Sequence, residues 1–185
     1  MNIYRITSSA EEYGTFEVNT TAMLEKLGSE LLTDLGDSTT SIADKWGNFT
    51  AWFEDMDDES DIDPYPDVFV WTDCVLVMNE KSREVLNNLL DKVGEFLPFA
   101  TPKGRYFAYI PHLVVHANEE ESKREVRNGI EMESKSIVFS SAEVGTKAIF
   151  KTDFNNFTCA FCTDILKKSI QENHLIGVRF ENHLV

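Results

Sequence analysis

The spacing of hydrophobic and polar residues predicts a chain of short strands with a few helices between them. From Phe49 to Glu54 apolar and polar residues alternate, which is typical of a half-buried strand. The stretches 68–78 and 105–116 are rich in β-branched and aromatic residues, and the second gives the strongest strand signal of the chain. Weaker strand signals lie at residues 2–7, 96–99, 136–140, 148–152, 157–161 and 176–180.

Apolar residues that recur with a period of 3.6 predict three helices. The first spans about residues 20–35. The second begins after Asn79, and Gly94 lies where a left-handed C-cap would end it. The third spans about residues 163–173. Because the strands outnumber the helices and do not alternate strictly with them, we predict an α+β fold with a mainly antiparallel sheet and about three helices.

Length and charge narrow the class of protein. The chain has 185 residues, which is enough to form a hydrophobic core, and we predict a single domain over residues 1–185. Seventeen basic and 32 acidic side chains give a net charge of −15, which disfavours a nucleic-acid partner or an anionic membrane and favours a basic partner. With an odd number of cysteines, no signal-peptide pattern and no long apolar segment, the sequence predicts a cytoplasmic protein.

The acidic residues are concentrated in one short segment. Residues 54–67 contain eight acidic side chains and no basic one, and they close the N-terminal portion, 1–65. An EF-hand would need glycine at the sixth position and glutamate at the twelfth, and neither is present. We expect an exposed acidic loop that faces a cationic partner or is merely solvated, and tryptophans that anchor this partner or pack in the core. The candidate partner-binding residues are Trp52, Asp55, Asp57, Asp58, Glu59, Asp61, Asp63 and Trp71.

Two weaker patterns raise the question of a metal site. Cys159 and Cys162 form a CxxC pattern without a second pair of ligands, whereas structural zinc has four nitrogen or sulfur ligands. His112 and His116 lie four residues apart on a predicted strand and hence on one face. Packed thiols and a solvated or hydrogen-bonded histidine pair are the favoured alternatives. Since nucleotide, phosphate and hydrolase motifs are also absent, we predict no catalytic residue, no metal and no cofactor.

From residue 66 onward, the order of several short motifs matches a known family. The motifs are Pro66-Asp67-Val68-Phe69, Met78-Asn79-Glu80-Lys81-Ser82, Glu95-Phe96-Leu97-Pro98-Phe99, Tyr106-Phe107-Ala108-Tyr109-Ile110, Thr163-Asp164 and Gly177-Val178-Arg179-Phe180. Over residues 66–182 the chain resembles the Imm-eleven family of bacterial polymorphic-toxin immunity proteins, formerly a domain of unknown function. It departs from the family pattern at Met78-Asn79 and at Pro111-His112, where Val-Ser and Asn-Val are commoner.

The resemblance implies a non-catalytic, cytoplasmic protein that binds and neutralises a cognate bacterial toxin. An acidic surface suits a basic target, such as a nuclease toxin. The alternatives are another protein-interaction module or an adaptor of a secretion or effector system, and a small metal-dependent hydrolase that uses carboxylates of the acidic segment. The identity of the toxin and the oligomeric state stay open.

Overall fold

The computed structural model describes residues 1–55, 63–127 and 130–182. Its strands are β1 (Ile3–Ser8), β2 (Thr15–Val18), β3 (Phe49–Glu54), β4 (Val68–Thr72), β5 (Val75–Asn79), β6 (Gly94–Thr101), β7 (Gly104–Pro111), β8 (Lys123–Arg127), β9 (Ile130–Ser136), β10 (Ile149–Phe150), β11 (Phe161–Thr163) and β12 (Val178–Asn182). Its α-helices are α1 (Ala10–Tyr13), α2 (Thr20–Leu27), α3 (Ser29–Thr33), α4 (Glu80–Leu90), α5 (Ser141–Val144) and α6 (Asp164–Glu172), and 3-10 helices lie at Leu35–Asp37, Ala43–Lys45 and Asp153–Asn155.

The strands form two main sheets and a separate hairpin. The larger sheet has the order β2-β3-β6-β7-β5-β4, and its strands pair antiparallel except at β3 and β6. The smaller sheet has the order β10-β11-β1-β12 and is antiparallel throughout, and β8 pairs with β9. The predicted α+β fold with mainly antiparallel sheets is confirmed.

The larger sheet is buried on both faces, and β5 shows this most directly. Val75 and Val77 belong to the cluster that packs against α2, whereas Leu76 and Met78 belong to the cluster shared with α4, α6 and the smaller sheet. A strand covered on both sides reads as a continuous apolar run, because neither face meets water. A third cluster, around Phe139, includes Ile3 of β1, Phe150 of β10 and Phe161 of β11.

The larger sheet curls until its two edges face each other. Phe16, on the edge strand β2, packs against Trp71, on the opposite edge strand β4, with ring centroids 5.8 Å apart. The same Phe16 ring also contacts Phe53 and Phe99, from two strands between the edges. Aromatic rings therefore fill the inside of an incomplete barrel, whose gap lies between β2 and β4.

The predicted number of helices was too low. The helix predicted over residues 20–35 is divided into α2 and α3 at Gly28, whose φ of 81° lies outside the helical region. Leu24, one of the apolar residues whose 3.6-residue spacing predicts this helix, is 46 % exposed instead of buried. The one-turn helices α1 and α5 were missed as well, since four residues are too short to show a 3.6-residue period.

Several predicted strands have different bounds. The predicted strand 68–78 is two strands joined by a tight turn at Asp73, whose φ is 46°. The predicted strand 157–161 is wrong, because a 3-10 helix and a turn precede β11. The hairpin of β8 and β9 was not predicted, since its residues are mostly charged or polar. Gly94 begins β6 instead of capping α4; a Cβ there would lie 2.5 Å from the oxygen of Ile110.

A buried carboxylate joins three separate parts of the chain. Asp67, counted above among the exposed acids, is 9 % exposed. Its Oδ1 accepts a hydrogen bond from the Asn79 side chain at 2.7 Å, and its Oδ2 accepts from the Ile176 N–H at 3.1 Å and faces the Lys81 ammonium at 3.4 Å. Its backbone oxygen accepts from the Ser82 hydroxyl at 2.6 Å. Asp67 thus connects the start of β4, the N-terminus of α4 and the turn before β12.

We predict that Asp67→Ala lowers the free energy of unfolding by about 1–3 kcal/mol, because it leaves the part-buried donors at Asn79 and Ile176 without their acceptor. Asp44→Ala, which removes an exposed carboxylate, should change it by less than about 0.5 kcal/mol. Urea denaturation measures both values. Equal effects of the two substitutions would contradict a central role for Asp67.

Candidate functional site

The gap between the two edges of the curled sheet is a groove of about 550 Å³. Its two walls are β2 and β4, and Ser8, at the end of β1, lies on the β4 side. Leu32 of α3 and Leu35 of the following 3-10 helix also line it. The rings of Phe16 and Trp71 face it from opposite walls. The groove is therefore apolar inside and bounded by two strand edges.

The edge of β4 is already satisfied by neighbouring groups. The Ser8 hydroxyl donates to the Val70 carbonyl at 2.8 Å and lies 3.1 Å from the Val70 N–H, which donates to it. The Val68 N–H donates to the Ile176 carbonyl at 3.0 Å. An incoming strand would have to displace these bonds in order to pair with β4.

The edge of β2 is open along its middle. Asn19 donates its N–H to Thr50 on β3, and alternation along an antiparallel pair then turns the backbone groups of Phe16 and Val18 away from β3. The Val18 carbonyl accepts a long hydrogen bond from the Thr20 hydroxyl at 3.4 Å. Within the described residues, the outward N–H and C=O of Phe16 have no hydrogen-bond partner.

Gly14 sets the position of this open strand. Its φ is 62°, and a Cβ at this position would lie 1.9 Å from the Glu54 carbonyl oxygen. Only glycine combines this left-handed backbone with so close an approach. β2 therefore leaves α1 at a fixed angle and pairs with β3 from Thr15 onward.

Carboxylates border the segments that form the groove. Glu17 is part of the lining, and the exposed Asp34, Asp37 and Asp73 lie one or two residues along the chain from the lining residues Leu35 and Thr72. Burial raises the pKa of Asp37, and repulsion from Asp34 and Asp73 raises it further, while the Lys151 ammonium opposes the shift. The turn at Asp73 packs against the segment that carries Asp34 and Asp37, since a Cβ on Gly36 would lie 3.2 Å from the Asp73 Cβ.

The two candidate tryptophans do not form one surface. Trp71 packs on Phe16 and Phe99 inside the curled sheet and lines the groove. Trp52 lies on the outer face of β3, paired in register with Glu17, because the neighbouring Phe53 occupies the inner face. Each tryptophan is half-buried, so the sheet separates two side chains that the sequence placed together.

The candidate acids lie in different environments. Asp63 is exposed and forms an ion pair with Lys103 at 3.2 Å. Asp55 is half-buried directly after β3. The remaining candidates lie outside the described residues; they are Asp57, Asp58, Glu59 and Asp61.

The two candidate histidines are separated by different partners. β7 ends at Pro111, so His112 and His116 do not share a strand face as predicted. His112 Nε2 lies 3.3 Å from the Glu95 carboxylate, and His116 Nδ1 lies 3.1 Å from the Asp153 carboxylate. In the ranges that the structure describes, no group of three or more histidine, cysteine, aspartate or glutamate side chains is arranged to hold a metal ion.

Glu95 forms a Ser–Glu–His arrangement that is not built like a catalytic triad. Its carboxylate accepts hydrogen bonds from the Ser41 hydroxyl at 2.6 Å and the Ile42 N–H at 2.9 Å, and it faces His112. A nucleophilic serine needs the histidine next to its hydroxyl, whereas here the carboxylate lies between the two. Glu95 instead holds the segment around Ser41 against β6.

The three cysteines are buried free thiols. Cys162 packs with the helix α6 side of the core and Cys159 with the third cluster, so the two thiols of the CxxC pattern belong to different clusters. Burial raises the pKa of Cys74 to about 12 and also raises the pKa of Cys159 and Cys162. Reactive cysteines have a lowered pKa, so these thiols are poorly suited to redox or nucleophilic chemistry.

A buried lysine fixes one end of the groove, and the sequence analysis missed it. Lys151 is fully buried, and its ammonium donates to the carbonyls of Gly36 and Ser38 and lies 5.0 Å from the Phe157 ring centroid. Burial lowers the pKa of this lysine. Its position within the apolar stretch 148–152 was the available signal, because a lysine in a buried strand needs specific acceptors.

The groove itself was also missed. Its open wall, β2, has four residues, and the alternation from Thr15 to Val18 was the local signal. No protein-family model matches the chain, and no curated protein is significantly similar to it. In the portions covered by the structure, no helix is long and apolar enough to cross a membrane.

We predict that the protein loses stability as the pH rises above about 9. The thiols keep their protons in the folded protein, whereas the unfolded thiols ionise near their ordinary pKa of 9.0. Each raised thiol pKa then contributes stability below pH 9 that is lost on the way to its folded pKa, at up to about 1.4 kcal/mol per pH unit. Urea denaturation between pH 8 and pH 10 measures this slope.

The matched variant is the triple substitution Cys74→Ala, Cys159→Ala and Cys162→Ala. It should be less stable at pH 8 and should show a shallower decline toward pH 10, since the thiols are absent and the lowered pKa of Lys151 acts in the opposite direction. An identical slope in both proteins would show that the thiols are not the cause.

Proposed function

We propose that the protein is a non-catalytic immunity protein that binds a cognate bacterial toxin domain and neutralises it. One observation carries the proposal beyond the resemblance over residues 66–182: the negative charge is concentrated in the segment of the chain that forms the open wall of the groove. Residues 1–67 contain sixteen acidic and three basic side chains, whereas residues 68–185 contain sixteen acidic and fourteen basic ones. β2, α3 and the acidic residues Asp34 and Asp37 all belong to the first of these segments.

This charge distribution favours a basic protein partner. A concentrated negative potential steers a cationic partner into contact and repels acidic ones. Toxins that act on nucleic acids carry cationic surfaces, because they must neutralise phosphates. A tightly bound acidic protein would cover such a surface and keep the nucleic acid out.

The chemistry of the groove favours binding over catalysis. Of its lining side chains in the described part of the protein, Glu17 is the single titratable one. The Ser8 hydroxyl is bound to the backbone of Val70, so it is not available as a nucleophile. Among the lining residues that the structure describes, no histidine or second carboxylate lies beside Ser8 or Glu17 to act as a general base. Hydrolysis needs an acid or base positioned against a nucleophile or a metal-bound water. These features support a protein-binding role.

The test is rescue of cells that express the toxin domain encoded in the neighbouring reading frame. We expect that co-expression of this protein restores growth and that the two proteins purify as a stable complex. Neighbouring frames without a toxin, together with no rescue, would contradict the proposal. A complex that forms without rescue would instead support the adaptor alternative.

We predict that the acidic segment accelerates this association. Reversing Asp57, Asp58 and Asp61 to lysine should lower the association rate constant roughly ten-fold at low salt and weaken its salt dependence, because steering depends on charge. The matched control reverses three consecutive acids outside the first 67 residues, which are Glu119, Glu120 and Glu121. Stopped-flow or surface-based kinetics measures both variants, and equal rates for the two would show that the segment is only solvated.

A further inference from the structure

We infer that the open edge of β2 is the docking site for an extended, cationic segment of the partner protein, which adds as a strand in the groove between β2 and β4. The inference rests on the proposed function for the identity of the partner as a toxin. The mode of binding rests on the geometry of the groove alone.

The two walls differ in a way that assigns each a role. β4 is closed, because Ser8 binds both outward backbone groups of Val70 and the Ile176 carbonyl accepts from the Val68 N–H. β2 is open at Phe16, whose outward N–H and C=O have no partner among the described residues. An added strand forms backbone hydrogen bonds with an exposed edge and places alternate side chains in pockets beside it. Backbone pairing here is therefore directed to β2.

The inside of the groove supplies apolar contacts for one face of the added strand. Phe16 and Trp71 face each other at 5.8 Å between ring centroids, and half-buried Leu32 lines the wall formed by α3. Alternate residues of a strand point to opposite sides, so every second residue of the occupant would contact these side chains. These residues of the occupant should be apolar.

The negative charge around the groove favours cationic side chains at the remaining positions of the added strand. Glu17 lines the groove. The exposed Asp34 and Asp37 flank the lining residue Leu35, Asp73 packs against Gly36 in the same segment, and Asp34 and Asp73 repel Asp37. The nearby positive charge of Lys151 is buried and committed to Gly36 and Ser38. A second copy of this chain would bring the same negative charges against these, whereas lysine or arginine side chains of a partner would relieve the repulsion.

The test uses a synthetic eight-residue peptide of alternating lysine and valine with blocked ends, added to the full-length protein. Two further peptides serve as probes of the mechanism: one has glutamate in place of lysine, and the other is N-methylated at alternate amides, so that one edge cannot pair. Binding is followed by NMR through the backbone amides of Phe16 and Val18 and the indole N–H of Trp71.

We expect the lysine–valine peptide to shift the signals of Phe16, Val18 and Trp71. The glutamate peptide should leave them unchanged, and N-methylation should weaken binding roughly ten-fold or more, because each lost backbone hydrogen bond contributes about 1 kcal/mol. No shift at millimolar peptide, or shifts confined to other strands, would overturn the inference. Shifts of the same amides upon concentration of the protein without peptide would identify a second copy as the occupant and would overturn it too.

Paired variants test the two parts of the site. Leu32→Lys and Glu17→Lys should each weaken binding of the lysine–valine peptide at least roughly ten-fold. The controls are Leu24→Lys and Glu84→Lys, at exposed positions of α2 and α4, and they should bind the peptide like the unmodified protein. Equal binding by all four variants would refute the groove. Urea midpoints confirm that each variant is folded.

The peptide test and the rescue test fail in different ways. Rescue that survives Leu32→Lys and Glu17→Lys would leave the immunity function standing and reject the groove as its site. Peptide binding at β2 without rescue by the unmodified protein would retain the docking site and reject the toxin as its partner.

Discussion

The buried Asp67 carboxylate is the interaction on which the rest of the structure depends. It holds the start of β4 against the N-terminus of α4 and against the turn before β12. The Ile176 carbonyl in turn accepts hydrogen bonds from the N–H groups of Asp67 and Val68. Gly177 permits this approach, since a Cβ there would lie 2.2 Å from the Val68 oxygen. The smaller sheet is thereby fixed beside β4. Because this contact occupies β4, the edge of the larger sheet that stays open among the described residues is β2.

An open edge strand is normally a hazard, since it can pair with any exposed strand. Here β2 is short, it carries Glu17, and its open groups lie in a groove whose bordering carboxylates repel acidic chains. These features restrict pairing to partners of opposite charge. Lys151 also stabilises the groove, because its ammonium donates hydrogen bonds to the carbonyls of Gly36 and Ser38 and so fixes the segment at one end of the groove. The C-terminal part of the chain thus positions a surface that the acidic N-terminal part forms.

Local signals predicted the elements whose cause is local. Asn79 accepts from the Ser82 N–H and caps α4 as expected, and the alternation from Phe49 to Glu54 matches the observed burial of β3. The features of the candidate site depend on distant contacts and were not predictable in this way. In the sequence, Asp67 is one more acid of a charged segment. Its structural role comes from hydrogen bonds to the distant residues Asn79 and Ile176. Trp52 and Trp71 both flank that segment in sequence, but the alternation along each strand places them on opposite faces of the sheet.

The curl of the larger sheet explains why the groove is preformed. β3 joins the rest of the sheet through parallel pairing with β6 at two positions, Phe49 with Phe99 and Thr50 with Ala100. Such short pairing alone would leave the β2–β3 hairpin loosely attached, so the position of β2 must be set by the ring contacts that Phe16 makes with Phe99 and Trp71. Close-packed aromatic side chains resist displacement, since any shift opens a cavity. The edge of β2 is therefore held in place before a partner arrives, and binding would not have to order it.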